Sequence, residues 1–197
     1  MIVVGLTGNL ASGKSEASKI LKKLGAMIVD ADAVAQKLTA QGTPIHRAIR
    51  KIFGDGFFTR SGQLNRRKLA WHVFSHPNDL KKLNTLIHPG VIVELYRVLE
   101  KERRKKGVLV LSVPLLFESR MEKLADWTVL IASDTPTMLA RASARGVPPL
   151  LAKKILASQW PMARKEKAVD FVIDNNGTLA QLAVKLKKVY HEIKNLT

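Results

Sequence analysis

The 197-residue chain contains no cysteine. That excludes a disulfide framework and any zinc site built on thiolates. Aromatic residues make up only 6%, and no clustered platform on which bases could stack is evident among them. Acidic residues are scarce beside basic ones, 16 against 33, for a net charge of +17. No apolar stretch approaches the ~18–20 residues that a membrane-spanning helix needs. The opening "MIVVGLTGNL" is apolar but has neither a basic n-region nor a cleavage site. It runs straight into a glycine loop, so it is expected to be a buried strand rather than a signal peptide, and the protein is expected to be cytoplasmic. There is no internal repeat and no low-complexity linker.

What is present suits a folded α/β protein. Hydrophobic residues reach 46%, enough to bury a core in one domain. The positive charge fits nucleic acid, an acidic membrane surface, a multiply phosphorylated small substrate, or simply a solvated basic surface. "IVVGL" (2–6) is a short, continuous apolar run of the kind found in a strand covered on both faces. In "SEASKILKKLG" (15–25), Ala17, Ile20, Leu21 and Leu24 recur at helical spacing before Gly25 stops the helix. "AMIVDAD" (26–32) reads as a second strand ending in acid. Strand, loop, helix and strand within about 30 residues make a βαβ unit with a parallel sheet.

Residues 33–106 read as helices broken by turns at "FGDGFF" and "RSGQ", with Pro77 and Pro89 each placed to start a helix. The last of these helices is expected from about Gly90 to Lys106. "GVLVLSVPLLFE" (107–118), "DWTVLIAS" (126–133) and "DFVID" (170–174) have strand character, residues 135–168 are helical and basic, and 178–195 form an amphipathic helix. The expected architecture is an α/β core (about 1–32, 107–134 and 169–197) with an inserted helical subdomain (about 33–106) and a helical segment at 135–168.

Gly8-Asn9-Leu10-Ala11-Ser12-Gly13-Lys14-Ser15 spells G-x-x-x-x-G-K-S between a predicted strand and a predicted helix, the context in which this P-loop pattern carries meaning. Missing β-carbons let the backbone curl around phosphate oxygens, and successive N–H groups point inward as an anion nest. The helix that follows adds the positive end of its dipole. Lys14 can bridge β- and γ-phosphates, and the Ser15 hydroxyl can ligate Mg²⁺. ATP is therefore the expected phosphate donor, with Mg²⁺. The loop alone does not distinguish kinases from GTPases, ATPases or helicases. A guanine-reading Asn-Lys-x-Asp is missing; the nearest segment, "DNNG" (174–177), lacks the lysine.

A kinase must also present an acceptor hydroxyl in line with the γ-phosphate. An acid at the carboxyl end of a strand beside the loop could orient that hydroxyl and take its proton. "VDAD" (29–32) ends strand two in that place. Asp32 is the candidate base, with Asp30 as support or as a more distant Mg²⁺ ligand; either acid equally suits the N-cap of the next helix.

Taken in order, "GLTGNLASGKS" (5–15), "VDAD" (29–32), "LIHP" (86–89), "VPLLFE" (113–118), "AD" (125–126) and "SQWPMARKEKAVDFVIDNNG" (158–177) resemble the dephospho-coenzyme A kinase family over nearly the whole chain. The first piece is generic to P-loop proteins, and the last is much more specific. The resemblance implies a P-loop kinase of nucleoside-monophosphate-kinase type, with a helical acceptor-binding subdomain and a lid. It implies transfer of the ATP γ-phosphate to the ribose 3′-hydroxyl of dephospho-coenzyme A. It assigns Asp32 as base, and it places His88, Pro89 and the 113–118 segment, including Leu116, in the acceptor pocket. Gly8, Asn9, Ala11, Ser12, Gly13, Lys14, Ser15 and Glu16 would hold the nucleotide. A monomer or weak homo-oligomer is expected, with no nucleic-acid partner and no membrane.

The chain departs from the family pattern in four places. Ser112 stands where the family usually has Asp, Glu16 where it has Thr or a small residue, and Asn9 at a common glycine position. The Arg often found soon after His-Pro is missing from "HPGVIVEL" (88–95). If position 9 needs a positive φ, Asn is the least costly substitute. In the 135–168 segment, Arg141 and Arg145 lie at i and i+4 and share a helix face. Arg164, Lys165 and Lys167 follow Pro161. Guanidinium groups suit charge spread over equatorial phosphate oxygens. Arg141 is the first candidate for that catalytic role.

Overall fold

The computed structural model describes residues 1–196. The chain divides into two compact units, Met1–Asp30 with the chain from Leu99 onward, and Ala31–Val98.

In the first unit, among the described residues, five strands form one parallel sheet: β1 (Ile2–Thr7), β2 (Met27–Asp30), β3 (Val108–Ser112), β4 (Trp127–Ala132) and β5 (Phe171–Asp174), in the order β2-β3-β1-β4-β5. β3 is buried along its whole length, as its uninterrupted apolar run requires of a strand covered on both faces. Side chains alternate between the faces. Val4, Leu6, Val108, Val110, Val129, Ile131 and Ile173 face Ala17 and Leu21 of α1 (Lys14–Lys23) and Leu182, Leu186, Tyr190 and Ile193 of the C-terminal helix. That helix starts at a reciprocal cap: the Thr178 side chain accepts from Gln181 N, and the Gln181 side chain accepts from Thr178 N. Two backbone amides at the start of the helix are thereby satisfied.

The second unit holds α2 (Ala31–Leu38), α3 (Pro44–Phe53), a short 3₁₀ turn at Asp55–Phe57, α4 (Arg66–Val73) and most of α5 (Pro77–Glu102). Ile49, Leu69 and Val73 form its centre, packed by Ile45, Phe53, Phe57, Leu80, Leu83, Leu86 and Ile87. Here the expectation at Pro89 fails, because α5 runs through it rather than starting near it. An interior proline costs about 3 kcal/mol. Leu86 and Ile87 before it and Val91 and Leu95 after it are packed or buried, and burying large apolar side chains at about 1.5–3 kcal/mol each outweighs the lost hydrogen bond.

Residues 135–166 carry α6 (Thr135–Ala144), α7 (Pro149–Ser158) and α8 (Met162–Glu166) within the first unit, before the C-terminal helix α9 (Leu179–Asn195). No helix among the described residues is long and apolar enough to cross a membrane.

Candidate functional site

The glycine loop occupies the turn between β1 and α1, at the carboxyl edge of the parallel sheet, where ligands of such sheets collect. Its shape depends on two glycines. A β-carbon on Gly8 would stand 2.4 Å from Ser12 Oγ and 2.9 Å from Ile131 O. One on Gly13, at φ 108°, would stand 2.0 Å from Asn175 Nδ2. Positive φ does not fall on Asn9. It falls on Ala11, at φ 58°, so the loop holds an alanine in a conformation L-residues visit at a cost of about 1–2 kcal/mol.

Asn9 serves otherwise. Its Nδ2 donates to Trp160 O at 3.1 Å, while the Leu10 amide donates to Gln159 Oε1 at 2.9 Å. Under the loop, Asn175 Nδ2 donates to Ser12 O at 2.7 Å. The Ser12 hydroxyl is buried with no protein partner. A buried polar atom left unmatched in such a cradle is what a site for an anionic ligand would contain.

Lys14, only 8% exposed, donates through Nζ to Ser112 Oγ at 2.7 Å. Ser112 ends β3, and it stands in register with Asp30, which ends β2. Three neighbouring strand ends thus line up Thr7, Ser112 and Asp30. Asp32, exposed, is the second residue of α2 immediately beyond. Ser15 is exposed in the first turn of α1. Glu16 follows it, paired at 2.8 Å with Lys19, which offsets its charge near the loop.

Beside the loop lies a pocket of about 270 Å³ lined by Gly13, Glu16, Arg141, Arg145, Asn175 and Leu179, among others. Arg141 reaches across it, with Nη1 3.3 Å from Ser133 Oγ and 3.5 Å from Ser12 O. The structure therefore brings together Gly13, Glu16 and Arg141 around one cavity, while Lys14 turns inward to Ser112. Two further cations of this segment, Arg164 and Lys165, are committed elsewhere. The Arg164 guanidinium lies 3.4 Å above the Trp160 ring. Lys165 is fully buried. Its Nζ is 3.0 Å from Glu118 Oε1 and donates to Pro114 O at 3.0 Å. Burial holds the Lys165 ammonium below its ordinary value, and the Glu118 carboxylate opposes that shift.

Three residues assigned to the acceptor pocket lie elsewhere than a strand-edge pocket would place them. Leu116 is fully buried and packs its methyls against Gly5, where a β-carbon would meet them at 3.0 Å. It is a core residue, because the 113–118 segment turns back over the sheet instead of extending strand β3. His88 and Pro89 lie in mid-α5, in the second unit. Burial lowers the His88 imidazole below its ordinary value, because it disfavours the charged form.

Sequence reasoning gave Asn175 and Gln159 no role, and it placed Glu118 only within the 113–118 acceptor segment. In the sequence Asn175 stands only within the "DNNG" segment, with no role of its own. A buried amide at the end of the last strand is visible as a site residue only once the sheet order places β5 beside β4. Among the described residues, no group of three or more His, Asp or Glu could hold a metal by itself.

The sequence profile of the dephospho-CoA kinase family matches residues 2–181. A dephospho-CoA kinase from Symbiobacterium thermophilum is 38% identical over 181 residues, covering 91% of this chain and 76% of the relative. A solved Thermus thermophilus structure is 32% identical with a TM-score of 0.78, covering 97% of both chains. A dephospho-CoA kinase from Campylobacter jejuni, at 27% identity, superposes with a TM-score of 0.68, covering 99% of this chain and 98% of its own.

Proposed function

Since this chain belongs to the dephospho-CoA kinase family, we propose that its strand-edge site transfers the γ-phosphate of ATP to the ribose 3′-hydroxyl of dephospho-CoA, giving coenzyme A and ADP. The observation that carries the reading is the junction of the glycine loop with the pocket at Gly13, Arg141 and Asn175. It supports a nucleotide lying with its phosphates in the loop and its nucleoside end in the pocket.

In this reading the loop amides and the α1 N-terminus bind the phosphates. Lys14, turned inward and steadied by Ser112, reaches the β- and γ-phosphates. Arg141 stabilises the charge that builds on the transferred group. Asp32 orients the acceptor hydroxyl and accepts its proton, and His88 belongs to acceptor binding. The donor set suits Mg²⁺: the Ser15 hydroxyl and the Asp30 carboxylate are hard oxygens, and this ion keeps several waters and substrate phosphates in its shell. When bound, Mg²⁺ neutralises charge on the phosphate oxygens. A cytoplasmic location and a monomer or weak homo-oligomer complete the reading.

The test is mass spectrometry of the product formed from ATP, Mg²⁺ and dephospho-CoA, with Lys14→Ala as control. The expected product gains one phosphoryl group, only with the unmodified enzyme. A product from shikimate or a nucleoside monophosphate, with none from dephospho-CoA, overturns the acceptor assignment.

A further inference from the structure

Within the first half of the glycine loop, the Ser12 amide donates to Asn9 O at 3.0 Å, and the remaining contacts come from elsewhere in the chain. Three consecutive residues, Asn9, Leu10 and Ala11, are engaged by the helical segment that starts at Thr135. The Leu10 amide donates to the side chain of Gln159, and the Asn9 side chain donates to the carbonyl of Trp160. These bonds run in opposite senses, one from loop backbone to distant side chain and one from loop side chain to distant backbone. The Ala11 methyl packs with Ala142 of α6 and Ala152 of α7, and Leu10, Leu139 and Val147 close around them.

The far end of this attachment is itself anchored. Trp160 N donates to Glu118 Oε1 at 2.8 Å, and the same oxygen pairs with the buried Lys165 ammonium at 3.0 Å. Lys165 also donates to Pro114 O, which accepts from Thr7 Oγ1 at 3.1 Å. Thr7 is the last residue of β1, immediately before Gly8. The Trp160 ring stacks on Phe117 at 5.8 Å. The chain of contacts therefore closes on itself, from loop to Gln159–Trp160, to Glu118 and Lys165, to Pro114, and back to the strand that enters the loop.

A buried ion pair contributes little net stability against an apolar replacement of the same size. Its use here is geometric. The strained residue, Ala11 at φ 58°, sits directly beside the two latched residues. Such conformations persist only where the surroundings over-determine them. We infer that Gln159 and Asn9 form a reciprocal latch that holds Ala11 in its left-handed conformation and so keeps the phosphate loop in its receptive shape, with Glu118 and Lys165 fixing the far side. Gln159 is thus a positioning residue. It acts through the loop backbone and touches no phosphate. The inference rests on the reading of this loop as the donor site and not on the identity of the acceptor.

The test measures binding of a non-hydrolysable ATP analogue with Mg²⁺ by calorimetry, alongside thermal unfolding. Gln159→Met keeps the side-chain length and removes the acceptor. It raises Kd about three- to tenfold, the equivalent of one hydrogen bond, with little change in Tm. Asn9→Ala does the same, and the double variant shows less than the product of the two effects, because both act on one latch. Adding Ala11→Gly to Gln159→Met restores most of the affinity, since glycine adopts the positive φ without help. A change in packing alone would not be rescued in this way, so the Ala11→Gly arm separates a latch from a structural role. Unchanged affinity in Gln159→Met, effects that multiply, or no rescue by Ala11→Gly overturns the latch while nucleotide binding by the unmodified protein stands. Failure of the unmodified protein to bind the analogue overturns the donor-site reading and the latch together.

Discussion

Lys14 Nζ donates a 2.7 Å hydrogen bond to Ser112 Oγ, joining residues 98 apart in the chain. The bond turns the loop lysine inward, over the end of β3, where it is almost wholly buried. A neutral partner holds the cation there without cancelling its charge.

Replacing that partner tests the arrangement. Ser112→Ala leaves a buried ammonium unmatched and is expected to destabilise the fold by about 1–3 kcal/mol, read by denaturant unfolding. Ser112→Asp keeps Lys14 paired and adds a carboxylate at the strand end beside Asp30. It is expected to lower the Mg²⁺ concentration needed for half-maximal activity; an unchanged Mg²⁺ dependence would show that this strand end takes no part in holding the ion.

Asp32→Asn preserves shape and removes the proposed proton acceptor. The expected loss in kcat is about 10²–10⁴-fold, with KM for ATP nearly unaltered. Steady-state kinetics with dephospho-CoA as acceptor provide the check, and a loss confined to KM would reassign Asp32 to binding.

Arg141→Ala removes the guanidinium that spans Ser133 and Ser12 at the pocket edge. We expect kcat to fall about 10²–10³-fold while Tm stays within a few degrees, since the side chain is only part-buried. An unaltered kcat would remove Arg141 from the mechanism.

Gly13→Ala places a methyl 2.0 Å from Asn175 Nδ2 and forces alanine to φ 108°. The strain is of order 1–3 kcal/mol. Adding Asn175→Ala relieves the clash but not the backbone strain, so the double variant should regain part of the lost stability and little nucleotide affinity. Unfolding curves and calorimetry separate the two.

His88 gives a pH signature. Its folded value lies below the ordinary 6.5 because burial disfavours the charged form. Between the folded and unfolded values the unfolded chain binds more protons, so stability rises with pH there. The contribution is complete above 6.5 and is lost as pH falls below it. Asp79 and Asp174, which hydrogen bonds from Lys82 and Lys185 respectively hold below 3.8, affect only more acidic conditions. Unfolding from pH 7.5 to 5 should show a fall in Tm that His88→Gln flattens.

Much of the site was legible because it is local. A nest of amides needs a strand, two glycines and a helix start in one contiguous run, and residues 2–23 contain all three. The expected second strand, 26–32, stops at Asp30, and Asp32 falls in the first turn of α2 instead of at the strand end. Pro89 and Leu116 were misplaced because burial overrode local cues: α5 keeps its apolar residues packed on both sides of the proline, and the 113–118 segment folds its leucine over Gly5.

By itself, the sequence determined the parallel α/β architecture, the phosphate loop and the family, since each depends on apolar periodicity or on a contiguous motif. Only the tertiary structure decided the rest: that Ser112 receives the loop lysine, that Asn175 lies under Ser12, that Lys165 is buried against Glu118, and that Ala11 rather than Asn9 takes the left-handed conformation. These are contacts between residues far apart in the chain. Sheet order and burial set them, and no short stretch of sequence encodes either.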